Sequence, residues 1–170
     1  MVARKLIVIG EQGVGKTSLV RRLVEREFHE DYLSTLGVDI YTYKVPAAKV
    51  GAPSDLQLMI WDIEGQLGTK VFRHPYFQGA AGICVVGDLL RPSTLLRMQD
   101  LALICDVEAA GRPCILLANK TDQLPAGQPP EFPAEIDRKR WPLFLTSAKA
   151  DENVVQAFEH VAKAIVRRGI

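Results

Sequence analysis

The chain has 170 residues, a hydrophobic fraction of 48% and a formal net charge of +1, values that fit one domain with a sizeable core. Its apolar runs are far shorter than the roughly 18 residues of a membrane-spanning helix, and its short basic runs, such as 138–140, lack the continuity of a nucleic-acid-binding surface. Three cysteines without metal-ligand spacing, Cys84, Cys105 and Cys114, are interpreted as reduced core residues. We expect a single cytoplasmic domain over residues 1–170, with no export signal and no nucleic-acid partner.

Predicted strands and helices alternate along the chain. In chain order they are a strand at 3–10, a helix at 15–28, strands at 37–45, 56–62 and 81–90, a helix at about 93–109, strands at 113–120 and 142–148, and a helix at 151–168. A hairpin turn is expected at 49–55, a cap at Ser93 or Thr94, and a loop at 125–133, which holds four prolines. The alternation predicts an α/β fold, a mostly parallel sheet with helices on both faces.

The stretch GEQGVGKTSL, Gly10 to Leu19, directly follows a predicted buried strand. It fits G-x-x-x-x-G-K-[ST], in which glycines let backbone N–H groups turn inward around phosphate oxygens and the following helix adds its positive end. A tight turn ahead of a helix is the alternative. Lys16 would contact the β and γ phosphates, and the Thr17 hydroxyl is a hard ligand suited to Mg²⁺. The nucleotide-binding residues predicted here are Gly13, Val14, Gly15, Lys16, Thr17 and Ser18.

The stretch LQLMIWDIEGQ places polar residues after a second predicted strand. Asp62 can hold a water on magnesium, and Gly65 can bring its backbone N–H close to a γ-phosphate. Gln66 offers both the donor and the acceptor needed to orient a water molecule. The alternative for Gln66 is a polar residue in a mobile loop.

Two further motifs, NKTD at 119–122 and TSAK at 146–149, also follow predicted strands. The ionised Asp122 carboxylate can accept from both N–H groups on one edge of guanine, an edge that adenine lacks. Asn119 and Lys120 would stiffen and cover the pocket. The backbone N–H of Ala148 would reach the base carbonyl, and its neighbours Ser147 and Lys149 complete the predicted base pocket. Each tetrapeptide alone could be an ordinary loop after a strand, but the carboxyl ends of parallel strands would bring all the motifs to one rim.

In this order the four motifs resemble those of the small GTPases of the Ras superfamily, most closely the Rab-like branch, and the resemblance covers nearly the whole chain. STLGVDI is similar to the Rab effector loop, and ENVVQAFEHVAKAI is similar to the Rab closing helix. The resemblance implies a P-loop NTPase fold with a six-stranded sheet, GTP or GDP as ligand, and Mg²⁺. It also implies two loops, at about 30–40 and 63–76, that rearrange when the γ-phosphate leaves.

The resemblance also assigns roles to single residues. Carried onto this sequence, the metal ligands are Thr17, Thr35 and, through water, Asp62. Phe28 would pack against the guanine, and Gly65 would sense the γ-phosphate. Gln66 would position the attacking water, with Lys16 as the other catalytic residue.

The sequence departs from the Rab pattern in the segments expected near the γ-phosphate. Gln12 stands where Ras has glycine, and a longer side chain there could crowd the γ-phosphate. The second loop reads DIEGQLGTK where Rabs read DTAGQERF, so Glu64 adds a negative charge near the phosphates unless it points to solvent. EGQ and HPYF are also similar to the corresponding stretches of Roc domains, the GTPase modules of larger proteins.

Partners and anchoring follow from the same comparison. The resemblance implies effector, exchange-factor and activating proteins as partners, and we expect a monomer. No cysteine follows Cys114, so no prenyl membrane anchor is expected. No arginine lies between Phe28 and Thr35, so an internal arginine finger of the Gα kind is missing there and slow intrinsic hydrolysis is expected. Arg73 is another candidate for that role; a surface charge near His74 is the alternative.

We therefore interpret the chain as a GTP-hydrolysing molecular switch. One alternative is a nucleotide-dependent binding module with negligible hydrolysis, its geometry spoiled by Gln12 and Glu64. A second is a P-loop kinase, against which NKTD and TSAK argue. A third is a Roc-like regulatory domain that belongs to a longer protein.

Overall fold

The computed structural model describes residues 1–29, 35–73, 75–136 and 140–169. The strands are β1 Val2–Gly10, β2 Val38–Val45, β3 Leu56–Ile63, β4 Gly82–Asp88, β5 Cys114–Asn119 and β6 Leu143–Thr146. The helices are α1 Lys16–Glu25, α2 Ala47–Val50, α3 Pro92–Glu108 and α4 Val154–Arg167, and 3-10 segments cover Gly65–Arg73, Pro75–Phe77 and Thr121–Gln123.

Within these ranges the strands form one sheet in the order β2-β3-β1-β4-β5-β6. Only the β2–β3 hairpin is antiparallel; β1 pairs in parallel with β3 and β4, and β5 pairs in parallel with β4 and β6. The six-stranded, mostly parallel sheet expected from the sequence is therefore confirmed. Its parallel strands end at one edge, where the connections after β1, β3, β5 and β6 meet.

The core lies on both faces of the sheet. Leu6 and Val8 of β1 belong to the cluster that includes α1 and α4, in which Phe158 of α4 is fully buried. The alternate residues Ile7 and Ile9 belong to the cluster that includes α3. Because side chains alternate across a strand, β1 buries both of its faces, and its last residues deliver the loop that follows to a fixed position.

The structure corrects several element boundaries. The first helix ends at Glu25, because Arg26 adopts a left-handed conformation with φ of 61°. The short helix α2 overlaps the start of the expected hairpin turn at 49–55, and its Val50 is buried in the core. The last helix begins at Val154 rather than Asp151.

The predicted cap at Ser93 or Thr94 is wrong. Helix α3 begins at Pro92, and its capping position is Arg91, whose side chain makes no cap. The Thr94 hydroxyl instead accepts from the N–H of Asp88 at 2.9 Å, so it ties the start of α3 to the end of β4.

The remaining expectations concern loops and membranes. Residues 124–136 contain no helix or strand, as the prolines predict. In the ranges that the structure describes, no helix combines the length and apolar character needed to cross a bilayer.

Candidate functional site

A cleft of about 560 Å³ lies at the edge where the parallel strands end. The predicted site residues that line it are Gly13, Gly15, Lys16, Thr17, Ser18, Phe28, Thr35, Gly65, Gln66, Asn119, Lys120, Asp122, Ala148 and Lys149. The other three, Val14, Asp62 and Ser147, are fully buried next to it. The structure thus brings together residues from all four motifs, which are far apart in the sequence.

The loop between β1 and α1 has its carbonyl oxygens engaged by side chains. The five carbonyls from Gly10 to Val14 accept, in order, from Lys16 twice, then from Arg91, Lys120 and Asn119, at distances of 2.8–3.0 Å. None of the N–H groups from 12 to 15 donates to a backbone carbonyl of the described residues. Because its carbonyl oxygens are already hydrogen-bonded and its N–H groups are available, the loop is suited to bind an anion. The positive end of the α1 dipole adds to this.

Gly15 and Lys16 explain the residue types in this loop. Gly15 has φ of 100°, and a Cβ there would lie 2.2 Å from Nδ2 of Asn119, so only glycine fits. Lys16 is 6% exposed. Burial lowers the pKa of Lys16 to about 8; the charge of Asp62 opposes that shift and the charge of Arg91 reinforces it. A buried ammonium bonded to two carbonyls is suited to a multiply charged anion in the same cleft.

Three hard oxygen groups meet beside Lys16. The Thr17 hydroxyl lies 2.9 Å from the Thr35 hydroxyl and also donates to Oδ2 of Asp62. Oδ1 of Asp62 is buried and has no hydrogen-bond partner among the described residues. Burial raises the pKa of Asp62 to about 6, although Thr17 and Lys16 favour its ionised form. Two hydroxyls and an under-bonded buried carboxylate fit a small divalent cation such as Mg²⁺, which prefers oxygen ligands.

The opposite end of the cleft holds the predicted base pocket. The Ser147 hydroxyl donates to Oδ1 of Asp122 at 2.5 Å and accepts from the N–H of Ala150 at 2.8 Å. This chain of bonds fixes the Asp122 carboxylate at the pocket wall, which Phe28 also lines. The N–H of Ala148 donates to Oδ1 of Asn119 at a long 3.3 Å, so its predicted bond to a base would have to replace this weak contact.

The segment after β3 touches the loop between β1 and α1. A Cβ on Gly65 would lie 2.4 Å from the backbone nitrogen of Gln12, so the two backbones are in direct contact. The exposed Gln66 lines the cleft at this point. Both residues predicted to act at the γ-phosphate therefore lie at the same end of the cleft as Thr35.

Glu64 bonds to the segment that precedes β2. Its Oε2 accepts from the N–H of Gly37 at 3.0 Å, and its own N–H donates to the Gly37 carbonyl at 3.0 Å. The Glu64 carboxylate therefore links the segment that precedes β2 to the segment that follows β3.

Arg73 is exposed and does not line the cleft. Some residues named in the predictions lie outside the described residues: His74, residues 30–34 of the first predicted loop, and Arg138 and Lys139 of the basic run.

Two residues outside the predicted motifs, Asp88 and Arg91, also support the cleft. Asp88 ends β4 and is 2% exposed; it accepts from Lys120 at 2.7 Å, Arg91 at 3.0 Å and the N–H of Leu90 at 2.9 Å. Burial raises the pKa of Asp88, but these three donors outweigh it and leave the pKa below its usual value. A carboxylate at the end of a fully apolar strand was the available signal, because such a group requires buried partners.

Comparisons with known proteins find relatives along most of the chain. The model of the Ras family matches residues 5–167. Ras-related protein Rab-13 of Rattus norvegicus is 33% identical over 165 residues, which cover 95% of this chain and 79% of the relative. Ras-related protein Rab-7b of Homo sapiens is 34% identical over 170 residues (96% and 83%), and Ras-related protein Rab-1 of Theileria parva is 32% identical over 167 residues (95% and 73%). The matched region includes every strand and helix that forms the cleft.

Proposed function

Because this chain belongs to the Ras family of small GTPases and is a Rab-like GTP-binding GTPase, we propose that it switches through two loops at about 30–40 and 63–76. The observation that carries this proposal is the meeting of both loops at one end of the cleft. Thr35 of the first loop lies beside Thr17, and Gly65 of the second contacts the backbone of Gln12. A γ-phosphate bound at this end would touch both loops, and its loss would release both.

The proposed nucleotide site divides between phosphates and base. The N–H groups of Gly13 to Ser18 bind phosphate oxygens, and the Lys16 ammonium adds a point charge to the β and γ phosphates. Asp122 accepts from guanine, Phe28 packs on the base, and the residues that complete the base pocket are Asn119, Lys120, Ser147, Ala148 and Lys149. The fixed Ser147–Asp122 bond supports guanine as the base, because a carboxylate held in place matches a pair of donors.

Mg²⁺ is the proposed metal cofactor. The residues that would hold it are Thr17 and Thr35 directly and Asp62 through water. When bound, the metal would neutralise charge on the β and γ phosphates. Asp62 would remain ionised, and Oδ1 would gain the partner that it lacks among the described residues.

Hydrolysis in this proposal depends on positioning. Gln66 orients the attacking water, the N–H of Gly65 holds the γ-phosphate, and Lys16 stabilises negative charge on the transferred group. Arg73 lies outside the cleft, so we keep the expectation of slow intrinsic hydrolysis that a partner's arginine would accelerate.

Partner binding is proposed for the surface around the first loop. Leu36 and Ile40 expose 84% and 50% of their area there, and exposed apolar side chains mark interaction sites where they form one patch. We propose that effector, exchange-factor and activating proteins bind this surface. We also propose that the protein is a monomer. Residues 1–170 form one GTPase domain in this proposal.

Replacing Gln66 by Ala is expected to slow hydrolysis of bound GTP by about 10²-fold, the cost of a poorly oriented reacting group. Affinity for GTP should be unchanged. Single-turnover hydrolysis with Mg²⁺ measures the rate, with Gln128→Ala, an exposed glutamine in the proline-rich loop, as the control. Equal rates for wild type and Gln66→Ala would remove Gln66 from the mechanism. Tight GTP binding without turnover in the wild type, even with a candidate activator, would instead favour the binding-module alternative.

Replacing Glu64 by Ala should loosen the first loop, because the variant loses the side-chain bond to Gly37. We expect hydrolysis to fall about fivefold, the effect of one partly exposed charge-assisted hydrogen bond, and deuterium exchange at residues 35–38 to accelerate. Glu64→Gln retains an acceptor oxygen and should stay close to wild type. If Glu64→Ala instead hydrolysed GTP faster, the carboxylate would be a repulsive charge at the phosphates, contrary to its contact with Gly37.

A further inference from the structure

We propose that Arg91 is a positioning residue of the phosphate-binding loop, and that its bond to Gln12 slows the release of nucleotides that carry a β-phosphate. This inference rests on the proposed nucleotide site and adds to it a residue from a different part of the chain.

Arg91 links the buried carboxylate of Asp88 to the loop between β1 and α1. Its Nε donates to Oδ2 of Asp88 at 3.0 Å, and its Nη2 donates to the carbonyl of Gln12 at 2.9 Å. Asp88 is held in turn by Lys120 and by the N–H of Leu90. One planar guanidinium therefore makes two directed bonds, an arrangement that a lysine ammonium does not reproduce.

The bond to Gln12 determines which way one peptide faces. The carbonyl of Gln12 and the N–H of Gly13 belong to the same planar trans peptide and point in opposite directions. Arg91 holds this carbonyl outward, so the N–H of Gly13 is directed to the other side, where the phosphate is proposed to bind.

Gly13 makes this restraint necessary. It has φ of 75°, and glycine crosses between conformations that other residues avoid, so the peptide before it turns over at little cost. Nη2 of Arg91 lies 3.5 Å from the position of a Cβ on Gly13, and the guanidinium therefore covers this point of the loop from outside.

The next carbonyl along the loop, that of Gly13, is also held by a side chain that bonds to Asp88. Lys120 donates to the carbonyl of Gly13 at 2.9 Å as well as to Asp88. Asp88 thus aligns two cations with two successive carbonyls. Of these two cations, Lys120 belongs to one of the four motifs and Arg91 belongs to none.

The test compares Arg91→Ala and Arg91→Lys with Arg140→Ala. Arg140 is a matched control, because it pairs with Asp106 of α3 at 2.9 Å with 49% side-chain exposure, against 44% for Arg91, and its hydrogen bonds to described residues do not reach the loop. The readouts are the dissociation rate of a fluorescent GDP analogue with Mg²⁺ and the dissociation constants of GDP and GMP by competition. GMP is the informative ligand because it lacks the β-phosphate that such a loop cradles.

We expect Arg91→Ala to release GDP about tenfold faster and to weaken GDP binding about tenfold, the scale of one hydrogen bond to a charged group. The affinity for GMP should change less than about twofold by the same reasoning. Arg91→Lys should release GDP clearly faster than wild type because it loses the two-bond geometry, and Arg140→Ala should match wild type.

Three outcomes would overturn the inference. They are wild-type GDP release in Arg91→Ala, equal weakening of GDP and GMP, and full wild-type behaviour of Arg91→Lys, which would reduce the effect to charge alone. If Arg91→Ala fails to fold, Arg91→Lys decides the question by its GDP release rate. A wild-type protein that binds no GDP would contradict the proposed nucleotide site itself, and it would be recognised before any variant is compared.

Discussion

Replacing Asp122 by Asn should weaken GTP binding by about 10⁴-fold, the discrimination shown by sites that read a ligand's hydrogen-bond donors. Asn presents an N–H₂ group as well as an oxygen, so one of its faces would meet the donor edge of guanine with donors. The same change should favour a xanthine nucleotide, whose 2-carbonyl accepts from that N–H₂ group. Competition against a fluorescent GDP analogue with GTP and XTP measures both affinities.

The structure offers a control for Asp122. Asp100 on α3 pairs with Arg97 and is 58% exposed, and Asp100→Asn should leave both affinities unchanged. Retention of GTP over XTP by Asp122→Asn would mean that another group reads the 2-position of the base, and the guanine assignment would fail.

Replacing Gly65 by Ala should reduce GTP hydrolysis by about 10²–10³-fold, the cost of losing one donor to the reacting group. The added Cβ would lie 2.4 Å from the nitrogen and 2.7 Å from the Cα of Gln12. Both atoms are backbone, so they cannot rotate away, and the segment that carries Gln66 must move from the cleft. GDP has no γ-phosphate at that contact, so its affinity should fall far less.

Single-turnover hydrolysis and GDP binding separate these two effects. Gly127→Ala is the control: its φ of 76° makes alanine strained there too, but its Cβ would have nothing within 4 Å, so that strain stays in the proline-rich loop. If Gly65→Ala hydrolyses GTP at the wild-type rate, the contact with Gln12 is not maintained when nucleotide binds. If it loses GDP as well, the substitution has damaged the whole loop.

Much of this architecture could be predicted because the motifs and the apolar runs adjoin. Each polar motif directly follows a strand that is mostly apolar, so parallel pairing brings Asp62, Asn119 and Ser147 to one edge. Helix α2 could not be predicted, since four residues show no periodicity and burial of Val50 depends on packing against the distant α4.

Arg91 could not be predicted for a different reason. Its place beside the loop depends on the pairing of Gly10 with Val86, which puts the end of β4 level with the start of the loop. Pairing register between parallel strands is set by the whole sheet, and no local pattern in GDLLRPS reports it. The same tertiary connection explains the wrong cap, because the Thr94 hydroxyl accepts from the N–H of Asp88, at the end of β4, and not from an N–H of its own helix.

The fastening of the phosphate-binding loop also sets an order of events during synthesis. Only the carbonyls of Gly10 and Glu11 are engaged by a nearby residue, Lys16; those of the next three residues depend on Arg91, Lys120 and Asn119. A nascent chain in which only the GEQGVGKT stretch has been synthesised therefore has the residues of the loop, but the carbonyls of Gln12, Gly13 and Val14 are not yet held in place. The shape of the cradle requires β4 and β5 in the sheet, and the proposed base pocket also requires the segment after β6, so in this chain ligand affinity reports a late stage of folding.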